Sequence, residues 1–299
     1  MHADEVDTDA SLVRRLLVAQ FPRWADLPIE RVESAGTDNA IYRLGDDISV
    51  RLPRIEWAKE QIDKERHWLS KLAPHLPLTI PLPLEQGEPA EGYPWTWAVY
   101  RWLDGENVLL EAIADPIEAA RTLARFITAL EHVDTTGAPL ASELPSLHGA
   151  PLPPRDRPTR DAIAQLDGMY DGMYDVDAMT SVWEEALNAP AWDRAPVWFH
   201  GDLLPGNLLF DQGHLRSVID FSGLGAGDPA PDLMSAWALF TGESRAAFRT
   251  ALGVDDATWT RARGHTLSQA AQFIPYYADT NPMGVERARS SLEAALADH

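Results

Sequence analysis

The sequence has no cysteine, which excludes disulfides and thiolate metal sites and leaves the redox compartment open. Lysine is almost as scarce, with Lys59, Lys64 and Lys71 the only three. Cations are outnumbered overall: 25 lysines and arginines face 46 acidic residues, for a formal net charge of -21. A chain this acidic opposes polyanions and attracts cations, so nucleic acid is not an expected partner. No uncharged apolar run reaches the ~18 residues of a membrane span, and no membrane partner is expected. The first residues, MHADEVDTDA, lack the basic and apolar regions of a signal peptide, so the expected location is cytoplasmic.

What is present suffices for a packed core. Apolar residues make up 45% of the 299, enough for one large domain or two modest ones. Leu12, Val13, Leu16 and Leu17 fall at helical spacing behind Asp9 or Ser11, either of which can cap, and Pro22 ends the pattern. Three strand-like runs follow, 31–35, 40–44 and 48–52, with Gly45-Asp46-Asp47 a hairpin turn between the last two. Ile62, Trp68, Leu69 and Leu72 mark a helix over 56–72, and Pro74, Pro77, Pro81 and Pro83 predict extended chain after it. The aromatic run WTWAVYRWL predicts a strand over 95–103, and a domain boundary falls behind it. Beyond that boundary the pattern is mostly helical: a long amphipathic helix around 117–130, then helices at 233–240, 246–252, 259–273 and 285–296. The proline-rich stretch 139–158 reads as an irregular connection, and DGMYDGMYD over 167–175 as a duplicated loop between helices.

The chemistry concentrates in VWFHGDLLPGNLLFDQGHLRSVIDFSGLGAGDPAPD, residues 197–232. Two glycines here mimic a phosphate-binding loop, but Asn207 and Leu208 stand where lysine and a hydroxyl residue are needed. Gly223, Gly225 and Gly227 follow a strand without the dinucleotide spacing. More informative are Asp202 and, five residues on, Asn207, between apolar strands 197–199 and 208–210, with Asp220 at the end of the strand 215–220. Phosphoryl transfer to a hydroxyl needs such parts: one carboxylate to orient the hydroxyl and accept its proton, and an amide with a second carboxylate to hold Mg2+ on nucleotide phosphates. The spacing matches that of a kinase catalytic loop and metal aspartate.

HGDLLPGNLLF followed by VIDFSGLGAGDPAPDL resembles the signature of the aminoglycoside phosphotransferase family, which belongs with choline kinases to the wider protein-kinase-like fold. The resemblance extends over nearly the whole chain and is strongest over 197–232. It implies an α+β, two-lobe architecture: residues 1–103 as a nucleotide-binding lobe, a small antiparallel sheet with one main helix, and 104–299 as a larger, mostly helical lobe for catalysis and acceptor binding. It further implies Asp202 as catalytic base, His200 as a brace for the loop, Asn207 and Asp220 as Mg2+ ligands, and structural roles for Asp228 and Asp232. In the first lobe the turn from Ser34 to Asn39, with Gly36 and Thr37, would cover the phosphates. Arg51 stands on the third strand where the family usually has lysine, with Glu65 as its partner, and the segment 99–103, with Tyr100 and Trp102, would hold the purine of ATP or GTP through backbone groups. An arginine fork and a lysine point charge do not hold phosphate alike.

Family membership does not name the acceptor. The acidic excess favours a cationic one, so an aminoglycoside-like antibiotic is the first expectation. A macrolide hydroxyl is a rival, since Arg51-Leu52-Pro53-Arg54 resembles macrolide kinases, as is a small metabolite such as an amino alcohol or sugar. The altered strand cation also admits a nucleotide-binding pseudokinase, against which stand Asp202, Asn207 and Asp220, all in place. The choice of ATP over GTP and the oligomeric state are not encoded legibly.

Overall fold

The structure is a computed structural model that describes residues 6–32, 39–107, 112–143, 149–170 and 172–298. The chain divides into two compact units, Met1–Pro74 with Thr79–Asp104, and His75–Leu78 with Gly105–His299. Among the described residues no helix is long and apolar enough to cross a membrane.

The first unit is built on an antiparallel sheet of five strands, β1 (Ile29–Arg31), β2 (Asn39–Leu44), β3 (Ile48–Pro53), β4 (Pro83–Gly87) and β5 (Trp97–Arg101), in the order β1-β2-β3-β5-β4. Side chains alternate between its faces. Tyr42, Leu44, Val50, Leu52, Trp97 and Val99 pack with Leu12, Val13, Leu16 and Leu17 of α1 (Ala10–Gln20), whose first turn is capped by Asp9 accepting the Leu12 N–H at 2.7 Å. Ala98 and Tyr100, one residue out of phase, pack with Ile62 of α2 (Lys59–Leu72). Arg51 shares their parity, pairing with Ala98 across β3–β5, and so falls on the α2 side.

Two expectations change in this unit. The first strand is Ile29–Arg31, not 31–35, because its pairing runs from Ile29 opposite Leu44 to Arg31 opposite Tyr42; residues 33–38 lie outside those described. β4 occupies proline-rich chain read as merely extended: Pro83 is its first residue on a sheet edge, where a missing N–H removes no ladder bond.

The second unit is mainly helical: α3 (Pro116–Glu131), α4 (Leu152–Met169), α5 (Val176–Asn188), α6 (Ser235–Ala238), α7 (Gly242–Leu252), α8 (Asp256–Tyr277) and α9 (Pro282–Leu296). Leu166, Met179, Trp183, Leu267, Ala271, Ile274 and Leu292 form the core where α4, α5, α8 and α9 meet. Between α5 and α6 lie two small antiparallel pairs, β6 (Val197–Phe199) with β9 (Gly225–Gly227) and β7 (Leu208–Asp211) with β8 (His214–Val218). α4 begins inside the stretch read as irregular. Pro153 and Pro154 sit in its first turn, where N–H groups have no intrahelical acceptor, so only Pro158 removes a helical bond. The repeat DGMYDGMYD is divided: its start closes α4, Tyr170 and Tyr174 pack edge to face at 5.7 Å, and Asp175 caps α5 through the Ala178 N–H.

Candidate active site

The loop from β6 to β7 carries His200, Asp202 and Asn207. His200 is fully buried, its ring edge-on to Phe221 at 4.5 Å. Its Nε2 lies 3.0 Å from the Ile219 carbonyl and its Nδ1 3.2 Å from the Asp202 N–H. A carbonyl only accepts and a backbone N–H only donates, so these partners assign the Nε2–H tautomer. The imidazole thereby links Asp202 to the residue preceding Asp220. Asn207 closes the loop: its Nδ2 donates to the Asp202 carbonyl at 2.9 Å and to Asp202 Oδ2 at 2.8 Å. The other oxygen, Oδ1, accepts from Gln269 Nε2 of α8 at 3.2 Å.

The loop from β8 to β9 carries Asp220. The Ile219 N–H donates to the Asn207 carbonyl at 2.9 Å, which places Asp220 beside the closing residue of the first loop. Asp220 is left-handed at φ 62°, an uncommon conformation that aspartate tolerates better than most residues, and its Oδ1 accepts the Ser222 N–H at 3.3 Å. The two loops touch back to back. A Cβ on Gly201, at φ +86°, would lie 2.8 Å from the Gly223 carbonyl oxygen, and one on Gly223 would lie 2.8 Å from that of His200, so both positions exclude a side chain.

Carboxylates behind the loops hold them in place. Asp232, 1% exposed, accepts the His200 N–H at 2.8 Å and the Gly201 N–H at 2.6 Å. Burial pushes its carboxyl up to about 7, against the pull of those two N–H groups and with the nearby charges of Glu131 and Asp202 adding to the rise. Asp228 takes a forked pair from Arg261 of α8, Nε to Oδ2 at 2.6 Å and Nη2 to Oδ1 at 3.1 Å. Asp228 thus ties the chain after β9 to α8, while Asp232 grips the main chain of the loop between β6 and β7. Asn107, unremarked in the sequence, donates from Nδ2 to the carbonyls of Gly206 and Leu208, both at 2.9 Å.

In the first unit Arg51 Nη1 meets Glu65 Oε1 at 2.7 Å, and Tyr100 Oη donates to Glu65 Oε2 at 2.6 Å. Glu65 is 1% exposed and Arg51 12%. Removing either partner would strand a buried charge. Arg51 Nη2 also reaches Gln61 Oε1 at 3.3 Å, which accepts from Asn39 Nδ2 at 3.4 Å. Asn39 Oδ1 is buried without a hydrogen-bond partner among the described residues.

The sequence-derived residues thus fall into two groups. Asp202, His200, Asn207 and Asp220 come together in the second unit, and Asn39, Arg51, Glu65 and Tyr100 in the first. Tyr100 joins through its hydroxyl. Trp102 stands apart: its N–H donates to the Asp47 carbonyl at 2.7 Å and its ring lies under Arg43 at 4.8 Å. Gly36 and Thr37 lie outside the described residues. The sequence did not reveal Gln61, although it precedes Glu65 by one helical turn, or Gln269 and Asn107, whose positions no local motif marks.

The sequence matches the phosphotransferase enzyme family over residues 29–265. The fold is similar to that of APH(2")-IIia in its GDP and kanamycin complex, with 18% identity, a TM-score of 0.68 and coverage of 95% of this chain and 97% of that one. It is likewise similar to the GDP complex of aminoglycoside 2'-phosphotransferase-IIIa, with 18% identity, a TM-score of 0.69 and coverage of 97% and 99%. A third similar structure is macrolide 2'-phosphotransferase MphH from Brachybacterium faecium, with 22% identity, a TM-score of 0.59 and coverage of 97% and 99%. A search of the curated proteins finds no match. The family match spans well over half of the chain, and with the α+β architecture of these structures it makes the protein a phosphotransferase of that family.

Proposed function

We propose that the protein transfers the γ-phosphoryl group of ATP or GTP to a hydroxyl of an aminoglycoside-like, cationic acceptor in the cytoplasm. The observation that carries the chemistry is the clamp on Asp202, whose two oxygens are held by Asn207 and Gln269 with one lone pair left on each to meet a hydroxyl. In the transfer, the acceptor oxygen forms a bond to Pγ as the bond from Pγ to the bridging oxygen breaks. The hydroxyl proton passes to Asp202 and the nucleoside diphosphate leaves with the bridging oxygen. Asn207 and Asp220 fit a Mg2+ ion, since both offer hard oxygen and the Asn207 Nδ2 is committed to Asp202. Bound there, the ion would neutralise charge on the phosphate oxygens. Among the described residues no three His, Asp or Glu side chains gather into a metal cage, so water and phosphate would complete the coordination. On this reading residues 1–103 hold the nucleotide, with Arg51 directed by Glu65 and Gln61, and residues 104–299 supply the base and the acceptor site.

The net charge of -21 supports a cationic acceptor. A macrolide hydroxyl is the second reading, supported by the Arg51-Leu52-Pro53-Arg54 run and the 22% identity with MphH. Cells expressing the protein, screened across aminoglycosides and macrolides, decide between them, with transfer of labelled phosphate to the protected compound as the direct assay. Asp202→Asn should retain nucleotide affinity and slow transfer by about 10²- to 10⁴-fold. An unimpaired rate would remove Asp202 from its role. Tight nucleotide binding with no transfer to any acceptor would instead indicate a pseudokinase.

A further inference from the structure

Gln269 belongs to neither loop, yet it supplies one of two side-chain hydrogen bonds to the Asp202 carboxylate among the described residues. Its Nε2 reaches Oδ1 from α8 while Asn207 holds Oδ2 from the loop itself. A carboxylate held at one oxygen can still turn about that contact. Held at both, from two separate elements, it has one orientation, and the lone pairs left on it have fixed directions.

The helix that carries Gln269 is itself anchored ahead of that residue. Two turns earlier Arg261 grips Asp228, and Arg261, His265 and Gln269 recur at four-residue intervals on one stripe. The preceding residue, Ser268, is fully buried; its Oγ accepts from Arg155 Nε at 3.1 Å and Gln272 Nε2 at 2.9 Å and lies 2.7 Å from Thr159 Oγ1 of α4. The chemistry of the side chain is also apt. An amide N–H directs a carboxylate without adding a charge, whereas lysine or arginine there would form a stronger, charge-assisted bond that competes for the electrons that must take the proton.

We propose that Gln269 is a positioning residue for phosphoryl transfer, acting through Asp202; this rests on the reading of Asp202 as the base. The test uses the full chain with Mg2+ and ATP or GTP, with kanamycin and then water as phosphoryl acceptor. Gln269→Met and Gln269→Leu, both of which remove the donor without adding a charge, should each lower kcat by roughly 10- to 10²-fold while KM for the nucleotide stays at the parent value. Added to Asp202→Asn, Gln269→Met should cost nothing further, because the group it directs is already gone. A wild-type kcat in folded variants, a change confined to KM, or a further loss in the double variant each overturns the proposal. Thermal unfolding separates misfolding from misplacement: should Gln269→Met melt early, Gln269→Leu carries the comparison. A parent chain that Asp202→Asn does not impair refutes the reading of the base instead, and leaves Gln269 nothing to position.

Discussion

Replacing Glu131 by glutamine should stabilise the protein at neutral and alkaline pH and leave it unchanged in acid. Glu131 is the last residue of α3, and its Oε1 is buried without a hydrogen-bond partner among the described residues. Burial pushes its carboxyl from 4.5 up to about 7, with His132 pulling the other way. Below about pH 4.5 the group is protonated in folded and unfolded chains alike, and the stability associated with the neutral form is fully present. Between about pH 4.5 and about pH 7 the unfolded chain releases the proton while the folded one keeps it, so stability falls as pH rises. The full rise corresponds to at most about 3 kcal/mol. Because the side chain is only partly buried, about 1–2 kcal/mol is the expected gain for glutamine, which has the same shape and no charge to desolvate. The same substitution removes a charge that raises Asp232, so the carboxylate holding His200 and Gly201 should ionise more readily. Urea unfolding near pH 4 and near pH 8 measures the effect as a shift in midpoint that is large at the higher pH and nearly absent at the lower. Equal midpoints near pH 8, or a larger gain in acid, would refute the reasoning.

Asp220→Ala should weaken Mg2+-nucleotide binding, in part recoverably at high Mg2+, because it deletes a ligand charge rather than the base; titrations with unchanged affinity would show the metal site to be misplaced. Gly201→Ala forces a side chain into a left-handed residue and against the Gly223 carbonyl, so a loss of at least about 1 kcal/mol is expected, with slowed turnover. A wild-type melting temperature would contradict it. Arg51→Lys keeps the charge but not the fork that spans Glu65 and Gln61, and should raise the nucleotide KM by less than about tenfold. Arg51→Ala strands Glu65 and should lower stability by about 3 kcal/mol or more, which a urea melt would detect.

The sequence made legible what local pattern controls. Asp202 and Asn207 share the loop between β6 and β7, and β7 and β8 separate them from Asp220; the apolar residues of these short strands announce all three, and turns a few residues long bring them together. α1 and α3 showed because their buried faces repeat at helical spacing. Proline misled twice, at β4 and at the start of α4, because its missing N–H is harmless on a sheet edge and in a first helical turn, a distinction that depends on neighbours the sequence does not name. Gln269 was invisible for a different reason: 67 positions separate it from Asp202, and in α8 it is one polar residue among several. The 2.6 Å bond of the Tyr100 hydroxyl to Glu65 escaped the sequence because it depends on strand parity and helix docking together.

The acidity of the chain and the charge of its donor bear on why Arg51 stands where lysine is usual. Arg51 is paired with Glu65 and Arg261 with Asp228. A paired cation still directs N–H groups, but its field is largely cancelled by its partner. On the proposed reading, attraction for the phosphates in a protein of net charge -21 must therefore come mainly from the metal held by Asn207 and Asp220. The strand cation is then needed for geometry more than for field. A planar fork anchored by a buried carboxylate and the Gln61 amide has less freedom than an ammonium on a flexible stem, and loses less entropy when it takes up a phosphate. Lysine would serve a site that depends on charge; arginine suits one in which the metal supplies the charge and the side chain supplies direction.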